Sequence, residues 1–367
     1  MNIRELMSRL ENWMPRRHFE SWDNNGLVMG DTNAPVKKVM LCMDINQDVL
    51  NEAVKNGVDT IISHHPMIFH SIKKFDLNDS RVKLIFEAEH HGISLLAYHT
   101  AYDLALGGTH DYLAEIFGLE NIEPIEPVYT EKYYQISIYV PQTHEAEVRA
   151  AIAKAGAGRL GDYDTCSFTY EGTGRFKPLE NAKPFLGQVD EIEEVHEAKI
   201  EAIVSAKDLA GVVESMRAAH PYEEVAYNIL ELANLKQTIG HGRLGTVEPI
   251  SLQALCEKTK VLLGCDYVKA YGDMQSIVNV VALSAGSGED FIPYLNSGID
   301  VFITGDLKTN KVLELVDKGI AVIDAGHYET ERPCIEHFKT QLERLFPELE
   351  LMLCPREIDN TTKHTIV

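Results

Sequence analysis

The chain has 367 residues, 45% hydrophobic and 25% charged, the balance of a globular protein with room for two or three domains. Its formal net charge of −22 argues against nucleic-acid or anionic-membrane binding through bulk charge. No run approaches the ~18 apolar residues of a membrane span, the first residues lack the order of a signal peptide, and the six scattered cysteines form no C-x-x-C, so a cytoplasmic chain with reduced cysteines is expected.

Ile3, Leu6, Met7, Leu10 and Trp13 fall at helical spacing and predict an amphipathic helix over residues 3–13. Ser21-Trp22-Asp23-Asn24-Asn25-Gly26-Leu27 follows as a turn before a short strand; Asp23 and Asn24 either face a site or satisfy that turn. From residue 36 strands (36–42, 58–62, 93–97) alternate with helices (47–55, 80–90), which implies βαβ units with parallel strands and right-handed crossovers. The C-terminal third repeats this plan, with strands at 277–283, 299–303 and 320–323 and helices at 289–296 and 309–317. Asn56-Gly57-Val58-Asp59-Thr60-Ile61-Ile62-Ser63 aligns with Ser297-Gly298-Ile299-Asp300-Val301-Phe302-Ile303-Thr304, and His91-Gly92-Ile93 with Lys318-Gly319-Ile320, a weak internal duplication.

Between the halves the pattern changes. Strands at 134–140, 165–170, 184–189, 199–205 and 225–232 and helices at 145–154 and 209–219 give a βαββαβ ferredoxin-like order with an extra strand. Pro124, Pro127 and Gly240-His241-Gly242 mark the borders. The expected fold is therefore α/β: residues 1–127 and 237–367 form one discontinuous domain of duplicated βαβ halves with parallel strands, and residues 128–236 an inserted α+β domain.

Open α/β sheets bind ligands beyond the carboxyl ends of their strands. Here those ends read Ser63-His64-His65-Pro66, Tyr98-His99-Thr100-Ala101-Tyr102-Asp103, Thr304-Gly305-Asp306-Leu307-Lys308 and Asp324-Ala325-Gly326-His327-Tyr328-Glu329-Thr330-Glu331, which predicts four parallel strands delivering His, Asp and Glu to one sheet edge. Taken singly each is bland: a packed histidine pair, a turn cap, a surface His/Glu contact at i, i+4. Together His64, His65, His327, Asp103 and Glu331 offer three imidazoles and two carboxylates, a set suited to two divalent ions (Zn²⁺, Fe²⁺ or Mn²⁺) with one carboxylate bridging. Two such ions leave a positive balance that draws an anionic small molecule to an acidic protein, and they make water nucleophilic near neutral pH. His99 reads as an orienting or catalytic group. Lys308 reads as a contact to phosphate or an oxyanion, or as a solvated lysine, and Asp306 as the partner of Lys308 or of a ligand histidine.

On Trp22-Asp23-Asn24-Asn25-Gly26-Leu27, Ser63-His64-His65-Pro66, His99-Thr100 with Asp103 and Gly107-Gly108, Thr304-Gly305-Asp306-Leu307-Lys308 and Gly326-His327-Tyr328-Glu329-Thr330-Glu331, the chain resembles the Nif-three-like dinuclear metal-centre family, the GTP cyclohydrolase 1 type 2 homologues. On Gly161-Asp162-Tyr163-Asp164-Thr165-Cys166-Ser167-Phe168 and His220-Pro221-Tyr222-Glu223-Glu224, the middle segment resembles the CutA/PII-like insert of the longer bacterial members. The resemblance implies metal ligation by the five residues with Glu331 as the bridge, and a homohexamer whose sites face an internal cavity. It implies a hydrolase acting on GTP or another phosphorylated or cyclic small molecule, the alternative being a non-enzymatic metal- or ligand-sensing hexamer. Three positions depart from the family pattern. Ala101-Tyr102 replaces Asn-Leu within His-Thr-Asn-Leu-Asp, His110 stands where an asparagine follows Gly-Gly, and Asn310 stands where a histidine is usual. These bear on the surroundings of the ligands and on substrate contacts, and His110 is a candidate extra ligand.

Overall fold

The apolar stretches of the N-terminal half become three adjacent parallel strands, Lys38–Cys42, Thr60–Ser63 and Ser94–Ala97, in the computed structural model, which describes residues 1–359. The chain divides into two units, Met1–Tyr129 with the chain from Ile239, and Thr130–Thr238.

The first unit holds two sheets. In one, the three parallel strands are flanked by Gly26–Met29, antiparallel to Ser94–Ala97, and by Glu350–Leu353, parallel to Lys38–Cys42. In the other, Ile277–Ser287, Val301–Gly305 and Ala321–Asp324 run parallel. Lys269–Tyr271 lies antiparallel on one side, and Arg243–Ser251 then Glu120–Glu123 antiparallel on the other. The expectation of one shared sheet edge is thus corrected: each half builds its own sheet, because helices separate the two.

Alternation along the strands explains the layering. Leu41, Ile62 and Leu96 of the first sheet and Val281, Ile303 and Ile323 of the second face a common core with Leu10, Phe117, Leu255 and Phe338. Those residues sit on helices Ile3–Trp13, Thr109–Phe117, Leu252–Leu263 and His327–Leu345, which therefore fill the space between the sheets. The opposite faces, Met40 and Ile61 in one sheet and Ala282 and Phe302 in the other, are covered by outer helices through Val49 and Ala88, and through Val312 and Leu315. With both faces buried, the central strands carry nearly continuous apolar runs, as parallel strands do.

The duplicated word has a structural meaning. Asp59 Oδ2 accepts from the backbone N–H of Lys37 and Lys38, and Asp300 Oδ2 from those of Asn279 and Val280, all at 2.8–2.9 Å. Each aspartate ties the start of one strand to the start of its neighbour, and its own carbonyl accepts from the next strand, at Ser94 and Ala321. Gly92 and Gly319 take left-handed φ of 68° and 82° where the preceding helix turns into that strand.

The second unit carries a four-stranded sheet in the order Ser167–Phe176, Glu193–Ser205, Glu126–Pro141, Tyr227–His241, with helices Glu145–Lys154 and Leu209–Ala219. This is the βαββαβ plan without the extra strand: residues 184–189, expected as a strand, form an irregular connection bounded by Pro178 and Pro184. The predicted helix at 289–296 is a 3₁₀ turn, Glu289–Tyr294, with Pro293 inside it. Among the described residues no helix is long and apolar enough to cross a membrane.

Candidate metal centre

His64 and His65 lie immediately beyond Thr60–Ser63, yet the ladder continues through them. Their N–H groups donate to Cys42 O and Met43 O at 3.0 Å, and Ser63 Oγ donates to His65 O at 2.7 Å. Both rings are thereby fixed by a buried strand and not by a loose loop. His99 and Asp103 follow Ser94–Ala97 on the short helix Thr100–Asp103 and its cap. His327 opens helix His327–Leu345, and Glu331 sits one turn on with its Oε1 3.1 Å from His327 Nε2.

Two sheets and one central helix so bring five predicted residues together. His64 Nε2 lies 3.9 Å from Asp103 Oδ1 and 3.8 Å from Glu331 Oε1, and His65 Nε2 lies 3.3 Å from Glu331 Oε2. His65, His327 and Glu331 offer ligand atoms within 4.8 Å of one another, as do His64, His65 and His99. His99 is therefore closer to the cluster than an orienting role required.

The cluster contains buried polar atoms without hydrogen-bond partners, both ring nitrogens of His64 and Asp103 Oδ1. Leaving such groups unmet is costly, and for carboxylates more so. Nitrogen and oxygen donors converging in this way fit divalent cations. Burial lowers the His65 pKa, but its bonds to Asp44 and Glu331 outweigh that and raise it to about 10. The bond to Glu331 raises His327 too. Burial pushes Asp103 and Glu331 up, and the surrounding histidines overcompensate, holding both carboxyls below their usual range.

Behind three of the histidines stands a carboxylate. His65 Nδ1 donates to Asp44 Oδ1, His327 Nδ1 to Asp306 Oδ2 and His99 Nδ1 to Asp23 Oδ2, each at 3.1 Å. This fixes the tautomer and turns Nε2 toward the cluster. Asp306 does so from a left-handed backbone, φ 54°, a conformation aspartate tolerates better than most. The Asp23 alternatives resolve together: it accepts from Thr100 Oγ1 at 2.6 Å and Asn25 Nδ2 at 2.8 Å while holding His99, so the turn is itself part of the site. Asp44 escaped the sequence reading. It lies two residues past the Lys38–Cys42 strand, and the strand-end rule applied to that strand finds it.

Gly286, also missed, walls the cluster. It has φ 59°, and a Cβ there would stand 2.3 Å from Glu331 Oε1 and 3.1 Å from His327 Nε2. The departures fall outside the cluster. Tyr102 is a core residue stacked on Phe338 at 4.3 Å, its hydroxyl donating to Cys334 O. His110 donates from Nδ1 to the Asp103 carbonyl at 3.1 Å; burial lowers its pKa to about 4, against the pull of the Asp103 carboxylate. Asn310 is exposed. Lys308 is not brought in: its Nζ pairs with Glu289 Oε2 at 2.9 Å, at the surface.

The surroundings bear on what enters. Exposed Trp22 and Phe69 stand edge-on to His99, ring centroids 6.2 and 6.0 Å away. On the Asp44 side a cavity of about 500 Å³ is lined by His65 and Asn46, with Arg81 and Lys83 among its walls.

Two α/β halves thus converge histidines and carboxylates on a buried cluster that could hold divalent metal. The profile of the Duf34/NIF3 (NGG1p interacting factor 3) family matches residues 1–361, and the chain belongs to that family. It is 38% identical over 330 residues to the GTP cyclohydrolase 1 type 2 homolog of Bacillus subtilis, covering 89% of this chain and 88% of that one. The homolog of the same name from Halalkalibacterium halodurans is 33% identical over 349 residues, 95% and 94% of the two chains. The crystal structure of a Bacillus cereus protein related to NIF3 superposes with a TM-score of 0.82 at 32% identity, covering 100% of this chain and 99% of that one. Staphylococcus aureus SA1388 gives 0.75 at 28% identity, with 100% and 99% covered.

Proposed function

We propose that the chain is a dinuclear metal-dependent hydrolase acting on an anionic small molecule, GTP or another phosphorylated or cyclic compound. The observation that carries this is the convergence of buried, unpartnered donor atoms of His64 and Asp103 on Glu331, beside His65 and His327. His64 and Asp103 would hold one ion, His65 and His327 the other, and Glu331 would be shared. Two bound divalent cations, Zn²⁺, Fe²⁺ or Mn²⁺, supply Lewis acidity and make water nucleophilic near neutral pH.

The protein's own groups do the rest. Asp44 and Asp306 keep the Nε2 atoms of His65 and His327 aimed inward. Burial lowers the His99 pKa but the bond to Asp23 more than offsets it, and in its protonated form His99 would be placed to give a proton to the leaving group. Water thus adds across the scissile bond, hydroxide to the electrophilic centre and the proton to the departing atom. Exposed Trp22 and Phe69 beside His99 favour a substrate with a flat ring.

The assembly belongs to the same proposal. The strand order of the insert supports a CutA/PII-like module, and the family resemblance is the ground for proposing a cytoplasmic homohexamer. If the insert senses a ligand and the metals have no turnover role, the protein is regulatory. One experiment separates these readings: turnover of GTP and a nucleotide panel by metal-loaded protein beside the H64A/E331A double variant. Metal-dependent turnover lost in the double variant supports the hydrolase. Equal rates in both remove the metal centre from the chemistry.

A further inference from the structure

The Thr130–Thr238 unit contains a cavity of about 400 Å³ that the proposed chemistry does not use. One wall is the strand Ser167–Phe176, where Gly172 pairs with Glu197 and Gly174 with Val195 of the adjacent strand. Gly172, Gly174 and Phe176 alternate onto one face. Neither glycine has a positive φ, so no backbone conformation requires them. Their role is space, and glycine inside a strand marks a place where something approaches closely.

Part of that space takes the carboxylate of Glu197. A Cβ on Gly174 would lie 2.1 Å from Glu197 Oε2. Glu197 is 9% exposed, yet among the described residues it has no ion pair and one hydrogen-bond donor, Tyr222 Oη at 3.0 Å from Oε1. Tyr222 is held in turn: its N–H donates to His220 Nδ1 at 3.1 Å, and His220 Nε2 donates to Tyr139 O at 2.9 Å. Phe176 and Phe185 approach the Tyr222 ring at 6.0 and 6.3 Å. The cations in the lining look elsewhere, Arg175 to Glu194 and Lys177 to Asp190. Of the remaining acids, Glu223 accepts from the Lys183 N–H at 2.7 Å. The cavity therefore combines apolar, aromatic walls with a buried negative charge that no side chain neutralises.

A buried carboxylate without a counter-charge is unfavourable, and a cation placed beside it recovers that cost. Aromatic faces attract the same ligands. We propose that this cavity binds a small organic cation, an ammonium group on an apolar body, with the ammonium at Glu197 and the body against Phe176, Phe185 and Tyr222. The inference is independent of the metal centre.

The test is calorimetric titration of the full-length protein with phenethylammonium and with its neutral counterpart 2-phenylethanol. The cation is expected to bind at least ~10-fold more tightly, and E197Q to abolish the difference while retaining the weaker affinity for the alcohol. Equal affinities, no binding of either probe, or a preference that survives E197Q would overturn the proposal. Circular dichroism establishes that E197Q is folded. If it is not, the comparison in the unaltered protein decides alone.

Discussion

Alanine at Gly286 tests whether Glu331 belongs to a metal centre without removing a single candidate ligand. Two effects are expected. The left-handed backbone, φ 59°, penalises any side chain, by about 1–2 kcal/mol. The new Cβ would also stand 2.3 Å from Glu331 Oε1, where ordinary contact begins at 3.4 Å, so the carboxylate must retreat by roughly 1 Å. Metal sites tolerate displacements of only about 0.2 Å in a ligand, so affinity should fall at least ~100-fold, the upper end of what disturbing a ligand's support produces. Gly92→Ala separates the terms, because Gly92 has φ 68° with nothing within 4 Å of its would-be Cβ. Both variants should unfold somewhat earlier in chelator, and G286A alone should lose Zn²⁺ in competition with a fluorescent indicator. Affinity in G286A within about threefold of the parent, alongside the stability loss seen in G92A, would refute the placing of Glu331 among the ligands.

D44N and D306N should each weaken metal binding by about 10–100-fold with the fold intact, because His65 and His327 lose the acceptor that orients them; unchanged affinity in chelator competition argues against that support. Metal uptake should release protons. His65, raised to about 10, is protonated at neutral pH and must lose that proton to ligate, so affinity climbs as pH rises. A pH-independent dissociation constant contradicts this. D59A and D300A should each cost about 2 kcal/mol in denaturant unfolding, since each strands two backbone donors. A large effect in only one of them would deny the structural equivalence of the halves.

The parallel strands and their flanking helices were legible because burial on both faces leaves an unbroken apolar run, and the shared Gly-x-Asp word because Asp59 and Asp300 perform the same backbone task. Less legible were the short antiparallel strands at the sheet edges: Lys269–Tyr271 has three residues and Glu120–Glu123 is exposed throughout, so neither has a periodicity to read. The split into two sheets was hidden as well, since local pattern does not say which strands pair. For the site, His64, His65, Asp103, His327 and Glu331 stood out by chemistry and position. Gly286 and Asp44 did not. A glycine announces only that space is needed, and Asp44 acquires meaning only once the His65 ring is placed against it.

The strands by which the chain passes into and out of the insert, Glu126–Pro141 and Tyr227–His241, are neighbours in one sheet, and the hydroxyls of Thr130 and Thr238 are 3.1 Å apart. Chain ends this close could be rejoined by a tight hairpin of two residues or so. In evolutionary terms the insert is a removable cassette: gaining or shedding it disturbs one turn, away from the elements that position His64, His99 and His327. Selection can therefore rework the module and the cluster on separate schedules.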